Sequence, residues 1–567
     1  MTDTELTSPT LIGASRGRPS WPGTTAIRRP SAVAAVIAAC AALALALRGY
    51  QLSRPGYLLG VTEYDDGALF GNALRLVSGV LPYRDFSMVQ PPGSMLLMAP
   101  AALLAKVAGT AWGLAAARLL TVAADTANVV LLGALVRHRG PVTAAVACGL
   151  YAVYPDAIVA AHTFLLEPWL NLLCLAGAVV LFDGDRFVGA AAPRPGETAL
   201  AARRSDTARR SDTARRSDAA RLVGGGMLFG FAAAVKIWAL VPLAVAALLV
   251  LLTARRTRPA ATLTGGAAIG LGVPLLPFAL LAPGALARGV VTGQLTRNVH
   301  GARHLLQRVD DLAGLGLHPV GSVRKLVLAA VAVALVGGCL AAYRRAGRSH
   351  GGPGHRTLDG YAAACAAAVT AMLLWPRLYY THYAAFDGPF IALAVALPAG
   401  LLTAARPVRL RAAVAAATVL VIAAAGYHQY RTESRTWGTT VASTADRLIP
   451  PGACVVSNDP AETVSADRFY SDVPGCPVMV DSFGTFLAMT DGRFRAAGPS
   501  ALQPVVDLWQ TALARAQYVW LTVNTDAQIP WNPPLFGYFK DHFRLIGLAR
   551  AMLPDHDVPG IGLYART

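Results

Sequence analysis

The sequence over residues 31–48 reads SAVAAVIAACAALALALR, an apolar run of the length that a transmembrane helix needs. Ten further apolar segments follow, over residues 112–136, 141–160, 164–182, 222–235, 237–253, 260–282, 323–342, 358–375, 384–403 and 412–427. The 567-residue chain is 54% hydrophobic and 14% charged, which is too apolar for an ordinary soluble protein. The sequence therefore predicts an α-helical polytopic membrane protein with about eleven transmembrane helices.

The arginines lie mainly in short polar segments between the apolar runs. Six clusters, over residues 16–29, 137–139, 186–221, 255–258, 344–356 and 406–411, fall on one side of the membrane if every apolar run crosses it. The positive-inside rule makes that side cytoplasmic. We therefore expect a cytoplasmic tail over residues 1–30, a transmembrane domain over 31–429 and an extracytoplasmic domain over 430–567. The protein should be a multi-pass protein of the plasma membrane.

This topology also accounts for the net charge of +18, which in a soluble protein would suggest a nucleic-acid partner. We expect the membrane as partner and no nucleic acid. The first apolar run lacks a cleavage site of small residues, so it should remain as the first span.

The apolar stretch 93–109 does not fit this topology, in which loops alternate between the two sides of the membrane. Counting it as a span would place Arg137 and Arg139 outside. It begins after Gln90-Pro91-Pro92 and contains Lys106. These features favour a helix that lies flat along the outer interface. A reporter fused near Gly109 should therefore be found outside the cytoplasm.

Residues Ala202 to Ala219 repeat the motif Ala-Arg-Arg-Ser-Asp-Thr within the predicted cytoplasmic loop 184–221. The repeat has no apolar residue larger than alanine to bury, so we expect disorder. A tether to anionic lipids through the paired arginines is the alternative.

The last part of the chain predicts a small α/β domain. Short buried strands are expected over Ala453–Ser457, Pro477–Asp481, Tyr518–Val523 and Ile561–Ala565, with an amphipathic helix over Leu502–Ala516 that starts near Ser500. Five of the seven cysteines lie in apolar runs, whereas Cys454 and Cys476 lie in this exported part. Its compartment favours a disulfide between these two, although their spacing does not prove one.

Acidic and aromatic residues concentrate in the predicted outer loop 49–111. This loop contains Glu63-Tyr64-Asp65-Asp66-Gly67 and, further on, Pro82-Tyr83-Arg84-Asp85-Phe86. Adjacent carboxylates repel each other and raise the pKa of one, which suits a group that must take a proton from a hydroxyl. A solvated acidic turn is the alternative.

Glu167 and Lys236 are charged residues at the ends of apolar segments. Glu167 precedes Pro168 at the predicted outer end of the fourth span, where a helix-start residue is the plainer interpretation. The topology nevertheless places Glu167 on the same side as Asp65 and Asp66. Lys236 is embedded between two apolar segments, where an ammonium usually has a partner or a function. It could hold a lipid phosphate, or it could extend to the interface without a ligand.

Later outer loops add cations and hydroxyls on the same face. These residues are Arg297, His300, Arg303, His304, Arg377, Tyr379, Tyr380, His382 and Tyr383. Anchoring in the aromatic belt would explain the tyrosines equally well.

The ordered set of these motifs resembles the GT-C superfamily, and within it the protein O-mannosyltransferase and aminoarabinose transferase-like group. The matching residues are Asp65-Asp66, Pro82 to Phe86 with Pro91-Pro92, Glu167-Pro168 and Lys236, and His382-Tyr383 is a looser match. The sequence departs from the group at Asp66, where glutamate is usual, and at Glu167, where aspartate is common. The resemblance covers most of the chain up to about residue 403.

The resemblance implies a role for each matching residue. Asp65 would be the catalytic base, Asp66 its supporting neighbour and Glu167 the completion of the acidic site. Lys236 would bind the donor phosphate. Tyr83, Arg84, His382 and Tyr383 would help to bind the substrates. Outside the matching motifs, we expect Arg297 and Arg303 of a later outer loop to bind substrate as well.

We therefore expect a membrane glycosyltransferase with a GT-C-like fold. It would transfer a sugar from a polyprenyl phosphate to an envelope glycan, lipid or protein on the extracytoplasmic side. The alternatives are a transporter or lipid-linked-sugar flippase and a noncatalytic scaffold. No cofactor is certain, although carboxylates could recruit Mg or Mn. Mannose and arabinofuranose are both candidate sugars, and the alanine- and arginine-rich composition hints at a bacterium.

Overall fold

The computed structural model describes residues 31–188, 204–254, 257–293, 304–314, 357–375, 379–404, 406–435, 441–489, 502–522, 529–553 and 556–567. The described part is mostly helical, as the apolar runs predict. Its first eight helices are α1 Ala32–Leu52, α2 Tyr64–Val77, α3 Gly93–Ala108, α4 Thr110–Val136, α5 Pro141–Ala152, α6 Pro155–Ala161, α7 Glu167–Leu181 and α8 Arg204–Val235. The next seven are α9 Leu240–Ala254, α10 Thr257–Leu281, α11 Pro283–Ala287, α12 Leu305–Leu312, α13 Thr357–Leu374, α14 Ala384–Ala404 and α15 Val408–Glu433.

Seven of the described helices are long and apolar enough to cross a membrane, or eight if one bent pair counts as a single span. The polytopic helical class is therefore confirmed, whereas the count of about eleven spans is not. The helices α7 and α9 have 15 residues each and are short for spans. The predicted span 323–342 lies outside the described residues.

The predicted span 141–160 is broken into α5 and α6, which meet at an angle of 57°. Pro155 at the start of α6 lacks an amide hydrogen and holds Tyr154 in an extended conformation, so the helix cannot continue. The Arg48 guanidinium of α1 reaches the break: Nη1 donates to the Ala152 carbonyl at 2.9 Å and Nη2 to the Tyr151 carbonyl at 3.5 Å. Arg48 also forms a buried ion pair with Asp125 of α4.

The disorder expected over Ala202–Ala219 is wrong from Arg204 onward, because α8 begins there. Alanine and arginine are both good helix formers. The repeat also continues directly into the apolar segment 222–235, so it extends an existing helix and avoids the cost of nucleating a new one. Residues 202 and 203 lie outside the described residues.

The apolar stretch 93–109 forms α3, which packs mainly against α2 and α4 and touches the end of α8. Lys106 Nζ donates to the carbonyl of Val77 at the end of α2, at 2.5 Å. At the other end, Gly93 lies so close to α8 that a Cβ there would be 2.6 Å from the backbone of Ala234. The orientation of α3 relative to the bilayer stays a prediction, as does the side on which each terminus lies.

The described residues from Val441 onward, here called the C-terminal unit, combine a mixed sheet with helices. Its strands are β3 Val455–Ser457, β4 Tyr518–Thr522, β5 Phe543–Leu553 and β6 His556–Arg566. The strands β1 Phe182–Asp183 and β2 Arg186–Phe187 form a separate small hairpin between α7 and α8. The larger sheet has the order β3-β4-β6-β5, in which β3 and β4 are parallel and the other pairs antiparallel. Its helices are α16 Ala442–Leu448, α17 Pro460–Ser465, α18 Ser482–Met489, α19 Gln503–Arg515 and α20 Pro533–His542.

Three of the predicted strands and the amphipathic helix are present, but the strand predicted over Pro477–Asp481 is not. That segment has no regular structure, because the Asp481 carboxylate accepts the Gly484 amide at the start of α18 and the segment joins no ladder. The structure also contains the strand β5, which the sequence pattern did not predict. Ser500 lies outside the described residues. A disulfide joins Cys454 to Cys476, with their Cα atoms 5.5 Å apart.

The C-terminal unit packs directly on α2. A Cβ at Gly67 would lie 2.1 Å from the Ala461 backbone, so the two helices α2 and α17 touch through main-chain atoms. Thr110 Oγ1 at the start of α4 donates to the Val464 carbonyl at 2.6 Å. The segment that carries the aspartate pair is therefore held between the membrane helices and the C-terminal unit.

We expect Gly67→Ala to push α2 and α17 apart, because the new Cβ would overlap the Ala461 backbone. Neither helix can yield locally without breaking its own backbone hydrogen bonds, so the two must separate as units. Overpacking of this kind costs about 1–3 kcal/mol. The melting temperature should fall and the C-terminal unit should become sensitive to protease. The matched control is Gly49→Ala in α1, where nothing lies within 4 Å of the new Cβ. Equal melting temperatures for the two variants would contradict the contact.

Candidate active site

The aspartate pair occupies the first turn of α2, and its two members face different surroundings. Successive residues of an α-helix are about 100° apart around its axis, so adjacent side chains cannot share one environment. Asp65 is partly exposed and lines a pocket. Asp66 is fully buried and forms an ion pair with Arg118 of α4. The sequence therefore places one carboxylate toward the pocket and the other toward the protein interior.

Asp66 is held by three groups of the protein. Arg118 Nε donates to its Oδ2 at 2.8 Å, the Phe164 amide donates to its Oδ1 at 2.6 Å, and Thr62 Oγ1 lies 3.5 Å from Oδ2. Arg118 also donates to carbonyls in the loop before α2, those of Tyr57, Leu58 and Gly60. This network fixes the beginning of α2, the helical turn that also carries Asp65.

Glu167 and Lys236 form a buried ion pair across α7 and the end of α8. Lys236 Nζ donates to Glu167 Oε1 at 2.6 Å. Lys236 lies at the break between α8 and a 3₁₀ turn over Ile237–Ala239, where its backbone is extended. Its ammonium lies over two aromatic rings, 3.5 Å from the centroid of Trp238 and 4.3 Å from that of Tyr383. Cation–π contacts and the carboxylate together offset the cost of burying this charge.

One pocket brings together five of the ten predicted catalytic and substrate-binding residues, namely Asp65, Glu167, Lys236, His382 and Tyr383. Its lining comprises Asp65, Ala68, Leu69, Asn72, Val89, Gln90, Leu165, Leu166, Glu167, Lys236, Tyr380, His382, Tyr383, Asp481 and Phe483. His382 and Tyr383 belong to a 3₁₀ turn that precedes α14, and both are buried. The pocket thus joins α2, α7, the α8–α9 break, the start of α14 and the C-terminal unit.

Tyr83 and Arg84 lie outside this pocket and line a neighbouring cavity of about 360 Å³. The Tyr83 hydroxyl donates to the Gln90 carbonyl at 2.5 Å, and Gln90 lines the first pocket. Arg84 Nε donates to Asp85 Oδ1 at 2.7 Å, and this hydrogen bond lowers the pKa of the Asp85 carboxyl. Arg84 is therefore already paired with a carboxylate and is placed away from Lys236.

Arg297 and Arg303 lie outside the described residues, together with His300 and Arg377. Their proposed contact with the donor stays a prediction.

The C-terminal unit supplies acidic residues that the sequence analysis did not single out. Asp481 and Phe483 line the pocket, and Asp459 at the start of α17 is buried near the aspartate pair. Burial, together with the nearby charges of Asp65 and Asp66, raises the pKa of Asp459 to about 7. Asp459 is thus partly protonated near neutral pH, which reduces its repulsion of the aspartate pair.

Among the residues that the structure describes, no group of three or more His, Cys, Asp or Glu side chains is arranged to hold a metal ion. The pocket carboxylates of Asp65, Glu167 and Asp481 come from three separate elements, and Glu167 is already bound to Lys236. This donor set does not fit Mg or Mn, so we derive no chemical step through a metal.

Comparison with known structures identifies the fold. The chain matches ArnT from Cupriavidus metallidurans in the apo state with a TM-score of 0.57, at 13% identity, over 94% of this chain and 98% of that one. ArnT bound to undecaprenyl phosphate matches with a TM-score of 0.53, at 14% identity, over 93% and 97%. An acceptor-peptide-tethered oligosaccharyltransferase of Archaeoglobus fulgidus matches with a TM-score of 0.50, at 13% identity, over 94% and 74%.

The sequence matches no family profile and no curated protein. The structural matches nevertheless extend over nearly the whole chain, including the C-terminal unit. They show that this chain shares the fold of ArnT and of that oligosaccharyltransferase, as the resemblance of the ordered motifs predicted.

Proposed function

We propose that the protein is a membrane glycosyltransferase that transfers a sugar from a polyprenyl phosphate to an acceptor hydroxyl in the cell envelope. The observation that supports this most directly is the convergence of Asp65, Glu167 and Lys236 in one pocket. These residues are far apart in sequence, and each has the chemistry that one part of the reaction requires. The structural match to an ArnT that binds undecaprenyl phosphate supports a lipid-linked donor.

Lys236 is the group that binds the donor phosphate. An ammonium has three N–H donors, so Lys236 can keep its bond to Glu167 and still donate to a phosphate oxygen. Glu167 holds the ammonium in place. Negative charge grows on the phosphate as it leaves, and a fixed cation beside it stabilises the transition state more than the ground state.

Asp65 is the general base. It takes the proton of the acceptor hydroxyl while the hydroxyl oxygen forms a bond to the anomeric carbon. The bond between that carbon and the phosphate oxygen breaks, and the phosphate keeps the electron pair. Direct displacement inverts the configuration of the anomeric carbon. Asp66, Arg118 and the loop carbonyls hold the base in position throughout.

The side of the membrane on which the reaction takes place is also part of the proposal. The arginine clusters of the sequence favour an extracytoplasmic pocket and C-terminal unit, with a cytoplasmic amino terminus. Mannose, arabinofuranose and other sugars remain candidates for the transferred group. The transporter alternative gains no support, because the fold matches over nearly the whole chain are to ArnT and an oligosaccharyltransferase.

The test is transfer of radiolabelled sugar from polyprenyl phosphate to envelope acceptors by the purified full-length protein. We expect activity in the wild type and its loss in Glu167→Ala, because the variant leaves Lys236 without its carboxylate. The control is Asp541→Asn, which changes an exposed carboxylate of the C-terminal unit. The proposal is wrong if no polyprenyl-phosphate sugar is consumed by the wild type.

A further inference from the structure

One face of α2 lines the pocket over two helical turns. Asp65, Ala68, Leu69 and Asn72 all belong to the lining, at the spacing of residues that share one face of an α-helix. Asp65 and Asn72 are seven residues apart, so their Cα atoms are separated by about 10 Å along the helix axis. The pocket wall that begins at the proposed base therefore continues to Asn72.

Asn72 is a buried polar residue of this wall. It is 4% exposed, and its amide oxygen has no hydrogen-bond partner among the residues that the structure describes. The buried Asn458 differs, because it donates to the Thr522 carbonyl at 3.0 Å and accepts from the Thr522 amide at 2.8 Å. A buried polar atom that the protein leaves unpaired is unfavourable for folding. In a pocket wall, such an atom indicates a contact that a ligand makes.

The chemistry of the Asn72 side chain favours a hydroxyl as its partner. A carboxamide is uncharged and carries an acceptor oxygen and a donor nitrogen, which exchange places when the amide plane turns over. A hydroxyl both donates and accepts, so it matches either end of the amide. The lining holds a second carboxamide, Gln90, whose backbone carbonyl accepts from the Tyr83 hydroxyl. This part of the pocket therefore suits a ring that carries several hydroxyls.

The sugar of the donor is the ring that fills this space. In the proposed reaction the donor phosphate binds Lys236 and the acceptor hydroxyl meets Asp65, so the anomeric carbon lies between these two residues of one pocket. The ring that contains this carbon must then lie in the same pocket. Because Lys236 and Asp65 act on the two groups that exchange at the anomeric carbon, Asn72 is left to a hydroxyl elsewhere on the ring.

We propose that Asn72 is a specificity-determining residue, whose amide binds a hydroxyl of the donor sugar away from the anomeric carbon. This inference rests on the transferase function proposed above and names the residue that distinguishes one donor sugar from another. A sugar that lacks this hydroxyl leaves the amide unpaired and binds more weakly. The amide takes no part in the bond changes, so it acts on donor affinity and not on proton transfer.

The experiment measures binding of short donor analogues to the full-length protein in lipid nanodiscs. The probes are farnesyl phosphate and its conjugates with mannose, glucose, galactose and arabinofuranose, followed by every monodeoxy analogue of the tightest conjugate. In the wild type we expect one monodeoxy analogue to bind about ten-fold more weakly than its parent, the effect of one lost hydrogen bond. Asn72→Ala should bind the parent and this analogue equally. Its affinity for farnesyl phosphate, which has no sugar, should equal that of the wild type.

The melting temperature separates recognition from folding. Because no described group bonds to the Asn72 amide oxygen and alanine is the better helix former, Asn72→Ala should melt at or above the temperature of the wild type without ligand. The control Asp541→Asn, at an exposed site, should bind every probe as the wild type does. The proposal is overturned if Asn72→Ala weakens farnesyl phosphate and its conjugates by the same factor, if the variant keeps the ten-fold difference, or if the wild type shows no such difference.

These outcomes are distinct from those of the transfer assay that tests the function itself. If the wild type transfers sugar but Asn72→Ala still discriminates against the monodeoxy analogue, only the role of Asn72 is wrong. If the wild type transfers no sugar from any polyprenyl phosphate, the transferase function is wrong, whatever the binding of the probes.

Discussion

Asp65→Asn should reduce the rate of sugar transfer by about 10²–10⁴-fold, the usual contribution of a positioned general base. Asparagine has nearly the same size as aspartate and can still accept a hydrogen bond, but it cannot take a proton from the acceptor hydroxyl. The change therefore removes one chemical function and keeps the shape of the pocket. The measurement is the initial rate of transfer from radiolabelled polyprenyl-phosphate sugar at saturating donor.

The folding of this variant should be normal, because Asp65 is partly exposed and the buried contacts of α2 belong to its neighbour. Melting temperature and donor affinity should match those of the wild type. Asp66→Asn is the instructive comparison, since it weakens the buried pair with Arg118 and should lower the melting temperature as well as the rate. Full transfer activity in a folded Asp65→Asn protein would remove the base from the mechanism.

Lys236→Met should be the most damaging substitution for both folding and donor binding. It leaves the Glu167 carboxylate buried without its cation, which costs about 3–5 kcal/mol when one partner of a buried pair is removed. It also removes the ammonium that we assign to the donor phosphate. The melting temperature and the affinity for a polyprenyl-phosphate sugar should both fall sharply.

A double variant distinguishes these two effects. Lys236→Met combined with Glu167→Gln has no buried charge left in the pair, so most of the lost stability should return. The affinity for the donor should not return, because no cation is restored. Recovery of transfer in the double variant would show that Lys236 acts only by neutralising Glu167.

The helical class and much of the candidate site could be predicted, because both depend on patterns within short stretches of sequence. Lys236 stands out as an ammonium between apolar segments, and the same reasoning would have identified Arg118 within the apolar run 112–136. The partner of Arg118 is Asp66, which lies 52 residues away along the chain, and no local spacing of residues specifies this ion pair. The periodicity of an α-helix could still have shown that Asp65 and Asp66 face different ways.

The contribution of Asp481 could not be predicted in this way. The apolar residues before it suggest a strand, but its carboxylate binds Tyr64 and Gly484, and the segment pairs with no strand. These contacts exist only because the C-terminal unit docks on α2 through Gly67 and Ala461. A glycine that two backbones need for close approach is indistinguishable, in one sequence, from a glycine in an ordinary turn.

The contact between Arg48 and the broken span has a consequence for genetics. Where a buried helix is interrupted, its freed carbonyls need donors from elsewhere in the protein, and the Arg48 side chain supplies them to Tyr151 and Ala152. In a random screen for loss of function, alleles at Arg48 should therefore produce little accumulated protein, whereas alleles at Asp65 should produce normal amounts of an inert one. Immunoblotting of membranes would sort the two groups before any enzyme assay.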